Sequence, residues 1–244
     1  MKKHRFFVRQ EINPKSSEVA LSDPSVAHQM RHVLRLRKED EVILLDGTGR
    51  EFHGQIKILT KGQAVISKLV MKEKSKNNEI NEIKMNLFVS LIKKDKFEWV
   101  LQKATELGVS RITPIISDRT EKQKINMDRA DKIVLEASEQ SGRTEYPFID
   151  EPISLKEALS ICETTPIVLD LEGETIDVTQ LRETHSTGSG QAGEISVFVG
   201  PEGGWSKKDF EQFEKKEYKR VTLGHQVLRA ETASVAVCSL LLLG

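Results

Sequence analysis

Strand-like and helix-like segments alternate in the second part of the chain, and this alternation constrains the fold more than any other feature. Short apolar runs typical of strands cover residues 84–91, 112–116, 167–171, 195–200 and 219–223. Helical patterns cover residues 95–107, 128–141, 206–216 and 231–243. Gly108 and Gly142 are predicted to end the first two, and Ser206 with Asp209 resembles a capping box at the start of the third. Strands that alternate with helices in this way form a parallel sheet covered by helices. The sequence therefore predicts an α/β domain in this part of the chain.

The first part of the chain has a different pattern. Short strand-like segments cover residues 6–8, 41–46, 51–59 and 63–71, and a single helix is predicted from Asp23, as N-cap, to about Leu34. Short strands joined by tight turns favour a small β-barrel. The polar residues 72–82 make the best domain boundary, which predicts a first domain at 1–72 and a second at 73–244. A further glycine- and serine-rich stretch, residues 185–193, is predicted to be a flexible loop.

The charge of the chain is unevenly distributed, although it sums to zero. Residues 1–72 contain 14 Lys and Arg and 8 Asp and Glu, a net charge of +6, so residues 73–244 carry −6. A basic N-terminal unit suits a polyanionic partner, although a basic excess can also serve only solubility. The candidate residues for binding a polyanion such as a nucleic acid are the cluster Arg31, Arg35, Arg37 and Lys38.

Composition excludes several classes of protein. Two cysteines, Cys162 and Cys238, cannot form a disulfide scaffold, and six scattered histidines without a C-x-x-C motif argue against a metal site. No stretch of 18 or more apolar residues is present, so no membrane span is expected. The basic N-terminus has no apolar core or cleavage site of a signal peptide, and we expect a cytoplasmic protein.

Three segments follow predicted strands at the places where open α/β sheets bind ligands, residues 169–173, 199–205 and 223–233. In the second of them, Gly200, Gly203 and Gly204 surround Pro201 and Glu202 just before a helix. Such a turn leaves backbone N–H groups free for a ligand, and its glycines let a flat ring approach, although it is also compatible with an ordinary strand–helix turn. No G-K-[ST] follows and no G-x-G-x-x-G is present, so neither a P-loop nor a Rossmann dinucleotide site is supported.

Charged residues mark two further positions. Glu231 at a predicted helix start is favoured by the helix dipole alone, whereas Arg229 opposes the dipole and needs another reason to be there. Arg143 follows a helix end, where it complements the dipole. The last helix, residues 234–243, has no charged side chain, so it is expected in the core or in a subunit interface.

Several motifs taken together resemble the ribosomal RNA small-subunit methyltransferase E (RsmE) family of the SPOUT superfamily. They span almost the whole chain in the family's order: HVLRLR at 32–37, LDGTG at 45–49, QKATELGV at 102–109, EASEQSGR at 136–143, GPEGGW at 200–205 and LGHQVLRAETA at 223–233. The least family-like stretch is residues 171–194.

The resemblance implies a PUA-like RNA-binding β-barrel at the N-terminus and a SPOUT α/β domain with a deep trefoil knot at the C-terminus. It also implies a homodimer that binds S-adenosylmethionine in the knot. The implied reaction is methylation of N3 of one uridine in 16S ribosomal RNA, either free or in the assembled small subunit. No metal is needed, because the sulfonium is already an activated methyl donor.

The same resemblance assigns the residues. The candidate cofactor-binding residues are Leu171, Gly200, Pro201, Gly203, Gly204, Leu223, Gly224, Leu228 and Thr232. Methylation at N3 requires loss of its proton, so Glu202 or Glu231 is the candidate base, and Arg143 or Arg229 the candidate ligand of the uracil oxygens or a phosphate. The alternatives are an inactive SPOUT-fold protein of RNA binding or ribosome assembly, another SPOUT enzyme, and a class I methyltransferase. The intact loops argue against the first and the LRAET motif against the second. The third would need a glycine-rich turn after its first strand, and the chain has none there.

Overall fold

The computed structural model describes residues 4–8, 10–72, 83–121, 124–185 and 193–243, with only the backbone for 182–185. It divides the chain into two compact units. The first contains Met1–Asn78 and Ser138–Tyr146, and the second contains Glu79–Ala137 and Pro147–Gly244. The predicted linker, apart from Lys72, and most of the predicted loop at 185–193 lie outside the described residues.

The first unit contains a mixed five-stranded sheet. Its elements are β1 (His4–Phe7), β2 (Glu18–Leu21), α1 (Pro24–His28), a π-helical turn (Gln29–Val33), β3 (Glu41–Leu45), β4 (Glu51–Leu59) and β5 (Ala64–Lys72). The strand order is β1-β3-β4-β5-β2, in which β1 runs parallel to β3 and the other pairs are antiparallel. The side chain of Asp23 accepts a hydrogen bond from the Ser25 N–H, which confirms the predicted cap. β2 was not predicted, because Glu18–Leu21 is short and has only one fully buried side chain, Leu21.

The segment Ser138–Tyr146 belongs to the first unit by its contacts. The carboxylate of Glu139 accepts hydrogen bonds from the Phe7 N–H at 3.1 Å and from Nε2 of Gln29 at 3.2 Å. The ring of Tyr146 packs edge-on against Phe7 with 5.4 Å between centroids. Glu139 of the EASEQSGR motif therefore ties this segment to β1 and to the π-helical turn.

The second unit is a seven-stranded parallel sheet covered by helices, as predicted. Its elements are β6 (Lys84–Ser90), α2 (Lys94–Leu107), β7 (Arg111–Ile116), α3 (Met127–Ser141, whose last four residues belong to the first unit), β8 (Phe148–Ile149), β9 (Ile153–Ser154), α4 (Leu155–Ile161), β10 (Ile167–Thr175), α5 (Val178–His185), β11 (Glu194–Val199), α6 (Lys207–Phe213), β12 (Lys219–Thr222) and α7 (Ala230–Leu243). The strand order is β12-β10-β11-β6-β7-β8, with β9 beside β7.

Strand order positions the site. β12, β10 and β11 are neighbours and run parallel, so their carboxyl ends meet at one edge of the sheet. β10 is irregular at that edge, because Leu169 and Glu174 both pair with Val221. Residues 170–173 therefore form a bulge within the strand, where the sequence predicted a loop after it.

The predicted helix ends are confirmed at three places. Gly108 and Gly142 end α2 and α3 with φ of +107° and +76°. Ser206 caps α6, where its side chain accepts from the Asp209 N–H and the Asp209 carboxylate accepts from the Ser206 N–H.

The last helix has one face in the core of its own unit and one face outward. Val237 and Cys238 are fully buried, and burial raises the pKa of the Cys238 thiol to about 12. Leu240 and Leu243 are 39% and 67% exposed. A charge at Val237 would therefore disrupt the core, so any shared subunit surface on this helix has to be sought at Leu240 and Leu243.

Candidate active site

A cleft of about 990 Å³ opens at the sheet edge where β10, β11 and β12 end. Its walls come from the three predicted segments, the bulge in β10, the turn after β11 and the stretch between β12 and α7. Residues at the start of α2 and after β7 complete it. Ligands of open α/β sheets bind at this end of the strands, so the cleft has the expected position for a substrate site.

The turn after β11 is fixed by an indole ring. Trp205 is buried, and its Nε1–H donates to the carbonyl oxygen of Leu169 at 3.0 Å. A Cβ on Gly200 would lie 3.1–3.3 Å from this ring, and Gly204 has φ of +66°. Glycine is therefore needed at 200 for the close approach of the chain's own Trp205, and at 204 for the backbone conformation.

The loop after β7 holds the other side of this turn. Nη1 of Arg119 donates to the carbonyl oxygen of Gly203 at 2.7 Å. The buried carboxylate of Asp209 accepts from the Asp118 N–H at 3.1 Å. Hydrogen bonds between Ser117 and Thr120 in turn close the loop on itself. The glycine turn is thus attached to β10 on one side and to the β7 loop on the other.

Apolar side chains of the cleft are unusually exposed. Leu171 and Val227 are 54% and 78% exposed, and Leu223 and Leu228 are half-buried beside them. Exposed apolar groups in a concave site beside backbone amides suit a flat, partly polar ligand such as an adenine ring.

Four carboxylates line the cleft, and they differ in their contacts. Oε1 of Glu202 is exposed and accepts from the N–H of Lys93, the residue just before α2, at 3.2 Å. Asp170 accepts a hydrogen bond from Nε of Arg220. Although partial burial opposes the shift, hydrogen bonds and charge from Asp170 and Glu172 raise the pKa of Arg220 above its usual value. Glu121 is exposed.

Glu231 is the buried carboxylate among the four. Its side chain is 9% exposed and lies 3.7 Å from Nζ of Lys96 on α2. It belongs to the first turn of α7, where the helix dipole stabilises a negative charge.

The structure brings most of the predicted site residues to this cleft. Those that line it are Leu171, Gly200, Pro201, Glu202, Gly203, Gly204, Leu223, Leu228, Arg229 and Glu231. Gly224 and Thr232 are not among the lining residues, although their neighbours are. Arg143 belongs to the first unit, half-buried just after Gly142, and does not line the cleft either.

Sequence reasoning missed Lys93, Lys96 and Arg119, which all line the cleft. They follow β6 and β7, two strands that lie beyond β11 in the same sheet. The strand-end rule, applied to these two strands as well, would have pointed to them.

The predicted RNA-binding cluster lies in the first unit. Arg31, Arg35, Arg37 and Lys38 are all exposed, in the π-helical turn and the residues that follow it. Among the residues that the structure describes, no helix is long and apolar enough to cross a bilayer, and no group of three or more His, Cys, Asp or Glu side chains is arranged to hold a metal ion.

Comparisons with known proteins agree with this geometry. An RNA methyltransferase domain matches residues 79–242, and the PUA domain of RNA methyltransferases matches residues 22–69. Ribosomal RNA small subunit methyltransferase E of Rickettsia conorii is 31% identical over 100% of this chain and 97% of its own length. The enzyme of the same name from Bacillus subtilis is 28% identical over 87% of this chain and 85% of its own length.

Solved structures show the same fold over nearly the whole chain. A ribosomal RNA small subunit methyltransferase E from Neisseria gonorrhoeae, bound to S-adenosylmethionine, has a TM-score of 0.84 at 29% identity and covers 98% of this chain and 96% of its own. A putative methyltransferase of Legionella pneumophila, in complex with the same cofactor, has a TM-score of 0.83 at 26% identity. It covers 99% of this chain and 97% of its own. The chain therefore belongs to the ribosomal RNA small subunit methyltransferase E family.

Proposed function

We propose that this chain is an S-adenosylmethionine-dependent methyltransferase that methylates N3 of one uridine in 16S ribosomal RNA. The observation that carries the proposal is the cleft where β10, β11 and β12 end, whose glycine turn is held by Trp205 and Arg119. Its position and chemistry fit the cofactor that is bound in the related Neisseria and Legionella proteins.

The residues of the cleft fit this cofactor. Leu171, Leu223 and Val227 offer apolar surface to the adenine ring, and the turn at Gly203 and Gly204 lines the cleft without side chains that would obstruct the ligand. When bound, the cofactor supplies a methyl group already activated for transfer, so the protein has to orient the uracil and accept its N3 proton.

Charged side chains suit the RNA substrate. Arg119 and Arg229 are exposed at the cleft, where a guanidinium can bind a phosphate or the uracil oxygens. Glu202 and Glu231 are the candidate acceptors of the N3 proton. In the first unit, the cluster at Arg31, Arg35, Arg37 and Lys38 supplies RNA affinity without taking part in the chemistry.

The active form is proposed to be a homodimer formed by the second unit. The outward face of α7 offers Leu240 and Leu243 for an isologous contact. Arg143 is proposed to act at the site of the partner subunit, because it does not line the cleft of its own chain and yet supplies a cation within one of the family's motifs. The protein is proposed to act in the cytoplasm, on free 16S RNA or on the assembled small subunit.

The proposal is tested with the purified full-length protein. Calorimetry should detect S-adenosylmethionine binding without added metal. Incubation with small subunits or 16S RNA and labelled cofactor, followed by digestion and mass spectrometry, should yield 3-methyluridine at one position. Cofactor binding without methyl transfer to either RNA form would favour an inactive RNA-binding protein instead.

A further inference from the structure

We propose that Glu231 is the catalytic base of this site and that Lys96 is its positioning residue. The inference rests on the proposed function and deepens it, because it selects one carboxylate among the four that line the cleft. It also assigns a role to a lysine outside the motifs that identify the family in this chain.

The contacts of the other carboxylates leave them less suited to this role. Glu202 accepts a backbone hydrogen bond at the start of α2, and its exposed side chain faces water. Asp170 is held by the guanidinium of Arg220, which also binds Glu172. Glu121 is exposed at the end of the β7 loop. A carboxylate that accepts close hydrogen bonds, or that is hydrated, is a weaker proton acceptor than a buried one whose oxygens accept none.

Glu231 has the required environment. Its side chain is only 9% exposed, yet it lines the cleft, so a ligand there would meet its carboxylate without intervening bulk water. The ammonium of Lys96 lies 3.7 Å from the carboxylate, beyond hydrogen-bond distance, so it orients the side chain while the residues that the structure describes donate no hydrogen bond to it. The other charged groups lining the cleft are the cations Lys93, Arg119 and Arg229 and the three carboxylates already described.

The chemical step balances with these groups. The N3–H bond of uracil breaks and its proton passes to a carboxylate oxygen of Glu231. The electron pair left on N3 forms the bond to the methyl carbon, whose bond to sulfur breaks with its electrons remaining on sulfur. The proton then leaves Glu231 to water once the product departs. Lys96 touches neither the uracil nor the methyl group in this scheme, and it orients the carboxylate.

The first experiment compares the wild type with Glu231→Gln, which keeps the shape of the side chain and removes its charge. We expect kcat to fall by about 10²- to 10⁴-fold, while calorimetry finds the affinity for S-adenosylmethionine nearly unchanged. Substrate prepared with 5-fluorouridine should restore part of the lost rate, because fluorine makes the N3 proton more acidic and the base less necessary.

The second experiment tests Lys96. Lys96→Met should lower kcat without weakening cofactor binding, Lys96→Arg should restore most of the rate, and the double variant with Glu231→Gln should be no slower than Glu231→Gln alone. Lys94→Met is the matched control, since Lys94 lies on the same helix, is 80% exposed and pairs with Glu98 outside the cleft. In the protein without ligands, the effects of Lys96→Met and Glu231→Gln on the free energy of unfolding should also be non-additive.

The outcomes separate this inference from the proposed function. A wild type that methylates no RNA would overturn the function itself. Three results with a methylating wild type would overturn the role of Glu231. The Glu231→Gln variant could keep the wild-type rate, it could lose affinity for S-adenosylmethionine by the same factor as it loses rate, or it could be equally slow on RNA with uridine and RNA with 5-fluorouridine. Additive effects of the Lys96 and Glu231 substitutions on both rate and unfolding would overturn the role of Lys96.

Discussion

The guanidinium of Arg119 donates a hydrogen bond of 2.7 Å to the carbonyl oxygen of Gly203, and this bond joins the loop after β7 to the glycine turn after β11. The aliphatic part of Arg119 also packs on Gly203, because a Cβ there would lie 3.5 Å from Cδ of the arginine. The orientation of the turn's amides therefore depends on a residue from a different strand end.

Replacing Arg119 should weaken cofactor binding. Arg119→Met keeps the packing on Gly203 and removes the hydrogen bond, whose charge-assisted contribution is about 1.5–3 kcal/mol. We expect the affinity for S-adenosylmethionine, measured by calorimetry, to fall by about tenfold or more. Lys208→Met is the control, since Lys208 is an exposed cation that pairs with Asp118 and does not line the cleft. Equal affinities for the two variants would contradict the role of Arg119.

A side chain at Gly203 should fill space that the cofactor needs. The distance from a Cβ to Arg119 is an ordinary van der Waals distance, so Gly203→Val is expected to fold and to lose cofactor binding. Gly62→Val, where nothing lies within 4 Å, is the control for the loss of a glycine. Calorimetry that finds the affinity of folded Gly203→Val unchanged would exclude this position from the cofactor site.

RNA binding should depend steeply on salt and on the basic cluster of the first unit. Replacing Arg31, Arg35, Arg37 and Lys38 by glutamine should lower the affinity and flatten the plot of log affinity against log salt concentration. The slope should change by about 0.7 for each phosphate of single-stranded RNA that the variant no longer neutralises. The control replaces four other exposed lysines of the same unit, Lys15, Lys61, Lys68 and Lys72. Similar slopes for both quadruple variants would mean that net charge, and not the cluster, provides the affinity.

A charge on the outward face of α7 should give folded monomers. Leu240→Glu is expected to halve the mass found by light scattering while the circular dichroism spectrum stays native. Val237→Glu should instead unfold the unit, since an unpaired charge at a fully buried site costs about 3 kcal/mol or more. Ile161→Glu, at a similarly exposed apolar residue at the end of α4, should leave the mass unchanged. A dimeric Leu240→Glu variant would rule out this face as the interface.

Mixed dimers test whether Arg143 acts across the interface. Arg143→Ala and Gly203→Val are each expected to be inactive, the first through the substrate and the second through the cofactor. If Arg143 serves the partner's cleft, exchanging subunits should restore one working site in each mixed dimer. Inactive mixtures, with exchange proven by mass spectrometry of differently tagged subunits, would show that Arg143 does not act across the interface.

The fold was largely predictable because its signals are local. Periodicity marked most strands, Gly108 and Gly142 marked helix ends, and Ser206 with Asp209 marked a capping box. β2, β8 and β9 were missed because they have only two to four residues, too few for a period to emerge. α4 and α5 are at least as long as α6, and α4 begins with a capping box of Ser154 and Glu157 that sequence reasoning did not use. The trefoil knot stays a prediction from the resemblance, since strand order does not define how the chain threads through itself.

The site was predictable only where it follows motifs. The glycines and the residues around Arg229 and Glu231 form motifs that are visible in the sequence. The ion pair of Lys96 with Glu231 joins two residues that are 135 positions apart in the chain, so no local motif marks it. Glycine at 200 pointed to a ligand ring, but the ring that approaches it is the indole of Trp205. Long-range packing of this kind leaves no periodic trace in a sequence.

The most direct test of the central claim is a map of uridine methylation in 16S ribosomal RNA from cells with and without the gene. We predict that mass spectrometry of the digested RNA finds 3-methyluridine at one position only when the gene is present, and that Glu231→Gln supplied in trans fails to restore it. A methylation map identical in both strains would contradict the assignment of this chain as the methyltransferase.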